Sequence, residues 1–208
     1  MPLNLPNLLT LLRIALIPVL VVVYFLPLRY AHVLATSVFV LAALTDWLDG
    51  YLARRLGQSS RFGAFLDPVA DKLMVAAALV LLATDPRVLD ASFSRVVFAV
   101  VTTIIIGREI AISALREWMA EIGERAHVAV MGIAKVKTTV QMVAISLMLF
   151  REPVYGLPVL KLGELLLYVA AVLTLWTMVL YLRAAWPSLA AEKSAAEQGA
   201  AAADAGRE

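Results

Sequence analysis

The chain has 208 residues, of which 62% are hydrophobic and 16% are charged, and its mean hydropathy is +0.86. This composition lies outside the range of soluble domains and predicts an integral membrane protein. The absence of cysteine excludes disulfides, thiolate catalysis and zinc–thiolate sites. The net charge of +2 comes from basic residues that gather at particular helix ends, so no nucleic-acid partner is expected.

Six apolar segments are long enough to cross a hydrocarbon core of about 30 Å, which takes about 20 residues. They cover residues 6–27, 31–55, 64–84, 93–118, 128–150 and 158–183. The predicted fold is therefore an all-α integral membrane protein with six transmembrane helices, in one catalytic domain of residues 1–186. Residues 187–208 lack apolar periodicity and are expected to form a disordered tail.

Basic residues are distributed unevenly between the two ends of these spans. The larger set contains Arg54, Arg55, Arg61, Arg116, Arg125, Lys135, Lys137, Arg183 and Lys193. The smaller set, at the other ends, contains Arg29, Arg87, Arg95 and Arg151. Because cytoplasmic loops carry an excess of lysine and arginine, the larger set and both termini are predicted to face the cytoplasm.

Four aspartates lie at the predicted cytoplasmic ends of spans two and three: Asp46, Asp49, Asp67 and Asp71. A carboxylate inside a span costs roughly 2.5 to 3.5 kcal/mol, so four together require a compensating charge. Spacings of three and four residues place each pair on one helix face. The pattern predicts a polar cavity in which the four carboxylates hold two divalent cations, which prefer oxygen ligands. The alternative is a set of boundary charges that pair with Arg54, Arg55, Arg61 and Lys72.

Small residues accompany these acids along the chain. Gly50 and Ala53 predict a shallow groove that a bulky ligand can approach, and Arg54 can complement the negative charge of a phosphate. Arg13 lies within span one, where a lone guanidinium is costly, so it is expected to have an acidic or phosphate partner.

The spacing D-x2-D-G-x2-A-R-x8-G-x3-D-x3-D is filled by Asp46, Asp49, Gly50, Ala53, Arg54, Gly63, Asp67 and Asp71. In this motif the chain resembles the CDP-alcohol phosphotransferases. The resemblance implies a six-span, dimeric enzyme that uses two Mg2+ or Mn2+ ions and moves a substituted phosphoryl group from a CDP-linked donor to an alcohol, releasing CMP. It also implies that Gly63 joins the nucleotide and diphosphate site, and that Asp67 and Asp71 are catalytic.

Three further stretches narrow the resemblance within that family: NLPNLLTLLR, GREIAISALREWMAEIG and GIAKVKTTVQMVA. They are similar to bacterial inner-membrane members that transfer a phosphatidyl group from CDP-diacylglycerol to sn-glycerol 3-phosphate. The resemblance makes Asn7 and Thr10 candidates for nucleotide contacts, although both residues can instead begin and cap the first helix.

Cations on spans four and five suit a small dianionic acceptor. Arg108, Arg116, Lys135 and Lys137 are predicted to bind the acceptor phosphate, with Glu109 available to pair with Arg108. We expect either that Asp71 acts as the general base on the acceptor hydroxyl or that a bound metal ion acidifies this hydroxyl.

Two other functions stay open at this point. One is the same chemistry with phosphatidylglycerol, inositol phosphate or serine as the acceptor. The other is cation transport, because intramembrane carboxylates also mark ion pathways. Transport is disfavoured because the acids gather near one membrane face and no matching acids occupy the opposite side.

Overall fold

The computed structural model describes residues 5–56, 61–121 and 131–205, and these residues are almost entirely helical. The helices are α1 (Leu5–Phe25), α2 (Ala31–Leu56), α3 (Arg61–Thr84), α4 (Pro86–Ala91), α5 (Arg95–Glu121), α6 (Met131–Phe150) and α7 (Val159–Ala205). Within these ranges the only strand-like pairing is an isolated antiparallel bridge between Val154 and Leu157. The prediction of an all-α protein is confirmed for the described residues.

Four of the helices are long and apolar enough to cross a membrane, over Asn7–Phe25, Ala31–Asp49, Arg95–Leu115 and Val159–Arg183. A shorter apolar stretch, Val136–Phe150, occupies α6. The chain is therefore a membrane protein. The count of six spans stays a prediction, although each of the six long helices overlaps one predicted span.

Polar side chains lie inside the bundle and many apolar side chains lie on its surface. The buried polar residues include Arg13, Asp49, Arg108, Lys137 and Glu164. Large apolar side chains such as Val22, Leu44, Ile110, Val172 and Trp176 are exposed. This arrangement suits a bundle that is surrounded by lipid, because an exposed leucine costs nothing in hydrocarbon whereas an exposed charge does.

Helix α1 packs against α2 and α3, while α6 packs against α2 and α7, and α5 against α3 and α7. The contact between α6 and α7 is close because Gly163 has no side chain. A β-carbon at this position would lie 2.7 Å from Cγ of Met148 and 2.9 Å from the carbonyl oxygen of Ala144. Such small residues allow helix backbones to approach in membranes.

The last helix differs from the expectation of a disordered tail, because α7 continues as a helix to Ala205. The reason lies in composition: residues 187–205 are rich in alanine, which favours helix even without an apolar stripe. The end of the catalytic domain at residue 186 stays a prediction.

Candidate active site

Arg13 lies at the centre of a group of carboxylates from two other helices. Its Nη1 is 2.7 Å from Oδ1 of Asp46 on α2 and 3.6 Å from Oδ1 of Asp71 on α3. Its Nη2 donates a hydrogen bond to Oδ2 of Asp49 on α2. The side chain of Arg13 is only 1% exposed, so the three carboxylates compensate a buried charge. Of the two kinds of partner predicted for Arg13, acidic or phosphate, the structure shows the acidic one.

This carboxylate cluster, formed by Asp46, Asp49 and Asp71 around Arg13, has a formal charge of −2. Asp49 is buried, whereas the side chains of Asp46 and Asp71 are 38% and 35% exposed. Among the described side chains, no three metal-ligating groups stand close enough together to hold one ion. The donor chemistry nevertheless fits Mg2+, since the oxygens are hard ligands and the charge equals that of one divalent cation.

A second polar site begins at the next residue of α3. Lys72 donates a hydrogen bond to Oγ of Ser113 on α5. Consecutive helix residues are about 100° apart around the axis, so Asp71 and Lys72 contact different helices, α1 and α5. Lys72 and Ser113 border a cavity of about 130 Å³, whose other lining residues are Arg108, Glu109, Ile112, Lys137, Thr138 and Tyr181.

Two buried cations share one carboxylate in this cavity. Lys137 of α6 donates to Oε1 of Glu109, and Nη1 of Arg108 is 3.3 Å from the same oxygen. Nη2 of Arg108 also donates to Oγ1 of Thr177 at 2.5 Å, which fixes the guanidinium against α7. The expected pairing of Arg108 with Glu109 is present. With Lys72, the three cations and one carboxylate leave this cationic cavity with a formal charge of +2.

The structure brings some of the predicted site residues together, and it does not describe the side chains of others. The structure groups Asp46, Asp49 and Asp71, and separately groups Arg108 and Lys137. Asn7 and Thr10 are buried on α1, the helix that carries Arg13. The predicted residues whose side chains lie outside the description are Gly50, Ala53, Arg54, Gly63, Asp67, Arg116 and Lys135.

Sequence reasoning missed three residues of the cationic cavity, namely Lys72, Ser113 and Tyr181. From the sequence, Lys72 is expected only as a boundary charge that pairs with the acids. The signal that identifies it is its place directly after Asp71, because a helix that turns one residue toward α1 turns the next toward another neighbour. Ser113 and Tyr181 carry no comparable signal.

Comparison with known proteins identifies the family. The model of the CDP-alcohol phosphatidyltransferase family matches residues 3–176. The chain belongs to this family. The matched range contains the whole carboxylate cluster and all of the cationic cavity except Tyr181, so both sites are part of the family domain.

Several curated relatives share one name, CDP-diacylglycerol–glycerol-3-phosphate 3-phosphatidyltransferase. The protein from Pseudomonas fluorescens is 51% identical over 187 residues, which cover 89% of this chain and 92% of the relative. The protein from Salmonella choleraesuis (strain SC-B67) is 54% identical over 185 residues, covering 89% and 96%. The protein from Pectobacterium atrosepticum is 52% identical over 187 residues, again covering 89% and 96%. The predicted resemblance to this family is confirmed.

Proposed function

We propose that this protein transfers the phosphatidyl group of CDP-diacylglycerol to sn-glycerol 3-phosphate, giving phosphatidylglycerophosphate and CMP. The names of the curated relatives support this reaction. The structural observation that carries the proposal is the adjacency of the two sites: consecutive residues of α3, Asp71 and Lys72, belong to the carboxylate cluster and to the cationic cavity.

The cationic cavity suits a small anionic acceptor. Its formal charge of +2 complements the phosphate of glycerol phosphate, which is close to a dianion at neutral pH. Its volume of about 130 Å³ is well below the 300 to 1,000 Å³ typical of pockets for drug-sized ligands. A lipid acceptor such as phosphatidylglycerol is too large for it, and serine lacks the phosphate that three cations would bind.

The carboxylate cluster is the proposed place for two Mg2+ or Mn2+ ions, with Asp46, Asp49, Asp67 and Asp71 as ligands. When bound, such ions neutralise the charge that develops on phosphoryl oxygens. The guanidinium of Arg13 contacts three of these carboxylates and holds them close together, so the ions would compete with it for their oxygens. The donor nucleotide and diphosphate are proposed to contact Gly50, Ala53, Arg54, Gly63, Asn7 and Thr10.

The transfer step then depends on how the chain orients the acceptor. Lys72, Arg108 and Lys137 bind the acceptor phosphate, with Arg116 and Lys135 proposed to extend this set. The free terminal hydroxyl is thereby directed toward the carboxylate cluster, where Asp71 of α3 accepts its proton as the oxygen attacks the lipid-linked phosphorus. The bond from that phosphorus to the CMP oxygen breaks, and CMP leaves with the electron pair.

The proposed setting is the bacterial inner membrane, with six spans and with both termini and the polar cavity on the cytoplasmic side. The distribution of basic residues supports this orientation. Both substrates would then meet at the inner leaflet, where the acyl chains stay in lipid. A homodimer is proposed from the family resemblance.

The direct test offers radiolabelled acceptors in turn to the purified protein with CDP-diacylglycerol and Mg2+. CMP release is expected with glycerol 3-phosphate, and at background with phosphatidylglycerol, inositol phosphate and serine. Preferred turnover with any of these three would refute the acceptor assignment. Metal uptake by proteoliposomes without any CMP release would support transport instead.

A variant test addresses the cavity itself. Replacing Lys72 with methionine removes one charge contact to the acceptor phosphate, so the KM for glycerol 3-phosphate is expected to rise about tenfold, with little change in the KM for CDP-diacylglycerol. The matched control is Lys161→Met, since Lys161 lies at the opposite end of the bundle beside Phe93. Equal changes in both KM values would place Lys72 outside acceptor binding.

A further inference from the structure

A second polar cavity, of about 640 Å³, lies at the end of the bundle opposite the carboxylate cluster. It is bordered by the connectors α1–α2, α3–α4 and α6–α7. Thr84, which lines it, is thirteen residues after Asp71 in the same helix. At 1.5 Å per residue this is about 20 Å along α3, so the cavity is separate from the proposed active site.

An ion pair between the α3–α4 and α6–α7 connectors lines this cavity, and the end of α1 adds a hydrogen bond to it. Oδ2 of Asp85 is 2.6 Å from Nη1 of Arg151 and accepts a hydrogen bond of 2.9 Å from the hydroxyl of Tyr24. The side chains of Asp85 and Arg151 are only 10% and 12% exposed. The guanidinium of Arg151 also lies 5.7 Å from the centroid of the Tyr24 ring. This part of the cavity is therefore rigid, and the charge of Arg151 is largely compensated.

Two more arginines stand at the rim. Arg29 and Arg87 line both this cavity and an adjoining one of about 380 Å³, and both are exposed. Among the described residues, neither has a carboxylate within ion-pair distance. The acids that line the two cavities are Asp85 and Glu152. Three arginines against two carboxylates leave a formal charge of +1.

The wall of the same cavity is apolar. Phe25, Leu26 and Leu28 line it and are 68%, 39% and 53% exposed. These residues lie where α1 ends, at the level where the headgroups of a bilayer meet its hydrocarbon core. An apolar wall beside a charge of +1 fits a ligand with one anionic group and a hydrocarbon part.

We propose that this cavity binds the phosphodiester of an anionic phospholipid. Arg29 and Arg87 contact the phosphate oxygens, and the acyl chains run along Phe25 and Leu28 toward the outside of the bundle. A monoanionic lipid such as phosphatidylglycerol matches the charge of +1, whereas the zwitterionic headgroup of phosphatidylcholine brings a cation that the arginines repel. A bound lipid would also link the α1–α2 connector to helix α4, because the connector contributes Arg29 and the helix contributes Arg87.

The test titrates phosphatidylglycerol and phosphatidylcholine onto the full chain in detergent and counts bound lipids by native mass spectrometry. Wild type is expected to bind phosphatidylglycerol more tightly. The double variant Arg29→Gln with Arg87→Gln is expected to bind it roughly 25-fold more weakly, from about fivefold for each basic residue at a lipid surface. Both arginines are exposed, so the fold is retained.

A matched control removes the same charge from the same end. Arg95 and Lys161 lie outside both cavities, so Arg95→Gln with Lys161→Gln should bind phosphatidylglycerol like wild type. If the control loses as much binding as the test variant, the lipid is held by general electrostatic attraction to this end of the protein. That result would overturn the proposal. So would unchanged binding by the test variant, which is the result expected if the lipid occupies the active site.

Competition with inorganic phosphate shows whether the cavity binds a lipid headgroup or free phosphate. The lipid proposal requires that phosphate at about ten times the lipid concentration fails to displace phosphatidylglycerol, because phosphate alone gains nothing from the apolar wall. Displacement by phosphate, or equal binding of phosphatidylcholine, refutes it.

Discussion

Replacing Arg13 with methionine removes the buried cation on which three carboxylates converge. Methionine is long, unbranched and apolar, so it fills much of the same space and the measured effect is mainly loss of charge. Removing one partner of a buried ion pair costs about 3 to 5 kcal/mol. Only Asp49 is as buried as Arg13, whereas Asp46 and Asp71 are more than one-third exposed and are screened by water. We therefore expect the substitution to lower the free energy of unfolding by about 3 kcal/mol, the lower end of that range.

For a chain of this length, 3 kcal/mol corresponds to a melting temperature lower by about 6 to 12 °C. The assay is thermal unfolding in detergent, followed by the fluorescence of the four tryptophans, in buffer without divalent ions. Arg13→Lys is the control, because lysine keeps the positive charge but lacks the planar guanidinium that contacts several carboxylates. This variant should recover part of the lost melting temperature. A methionine variant that melts within about 1 °C of wild type would refute the role given to Arg13.

The same variant tests whether the carboxylates bind metal. In the proposed function divalent cations take oxygens that Arg13 contacts, so removing the guanidinium should strengthen Mg2+ binding. Because a ligand stabilises the state that binds it, added Mg2+ should raise the melting temperature of Arg13→Met by more than that of wild type. An equal rise in both proteins would show that Arg13 and the metal do not share ligands.

Three more outcomes are expected. Asp71→Asn should lower CMP release by at least about a hundredfold while the protein stays folded and binds CMP, and near wild-type turnover would remove Asp71 from the reaction. Arg116→Ala should raise the KM for glycerol 3-phosphate far more than that for CDP-diacylglycerol in steady-state assays, and the reverse pattern would place Arg116 at the donor. Tyr24→Phe loses one hydrogen bond to Asp85, so calorimetry should show a melting temperature lower by about 2 to 4 °C, and no change would mean the bond is not formed in solution.

The sequence predicted much of the architecture because hydrophobic length is a strong signal in membranes. Each of the six long helices overlaps a predicted span, and the ends agree within a few residues for α1 and α2. The tail is the exception, since apolar periodicity does not measure the helix propensity of alanine. In the site, the cost of an unpaired arginine in a span predicted an acidic or phosphate partner for Arg13, and the structure shows that the partners are carboxylates.

Tertiary contacts between distant helices could not be predicted in the same way. The sequence places Lys72 beside Asp71, but only helix packing shows that it reaches Ser113, 41 residues further on. Glu164 is another example. This fully buried carboxylate accepts hydrogen bonds from the hydroxyl of Tyr168 and, at 3.0 Å, from the backbone N–H of Phe93. Nothing in the local pattern around Glu164 indicates a partner 71 residues away.

The two neighbouring residues of α3 have a consequence for redesign. Any rotation or shift of this helix moves Asp71 and Lys72 together, so a substitution that repacks α3 disturbs the carboxylate cluster and the cationic cavity at once. The cations on α5 and α6 can move independently of the carboxylate cluster. Among the described contacts, none joins Arg108 or Lys137 to that cluster. Libraries intended to change the accepted alcohol should therefore vary α5 and α6 and leave α3 untouched.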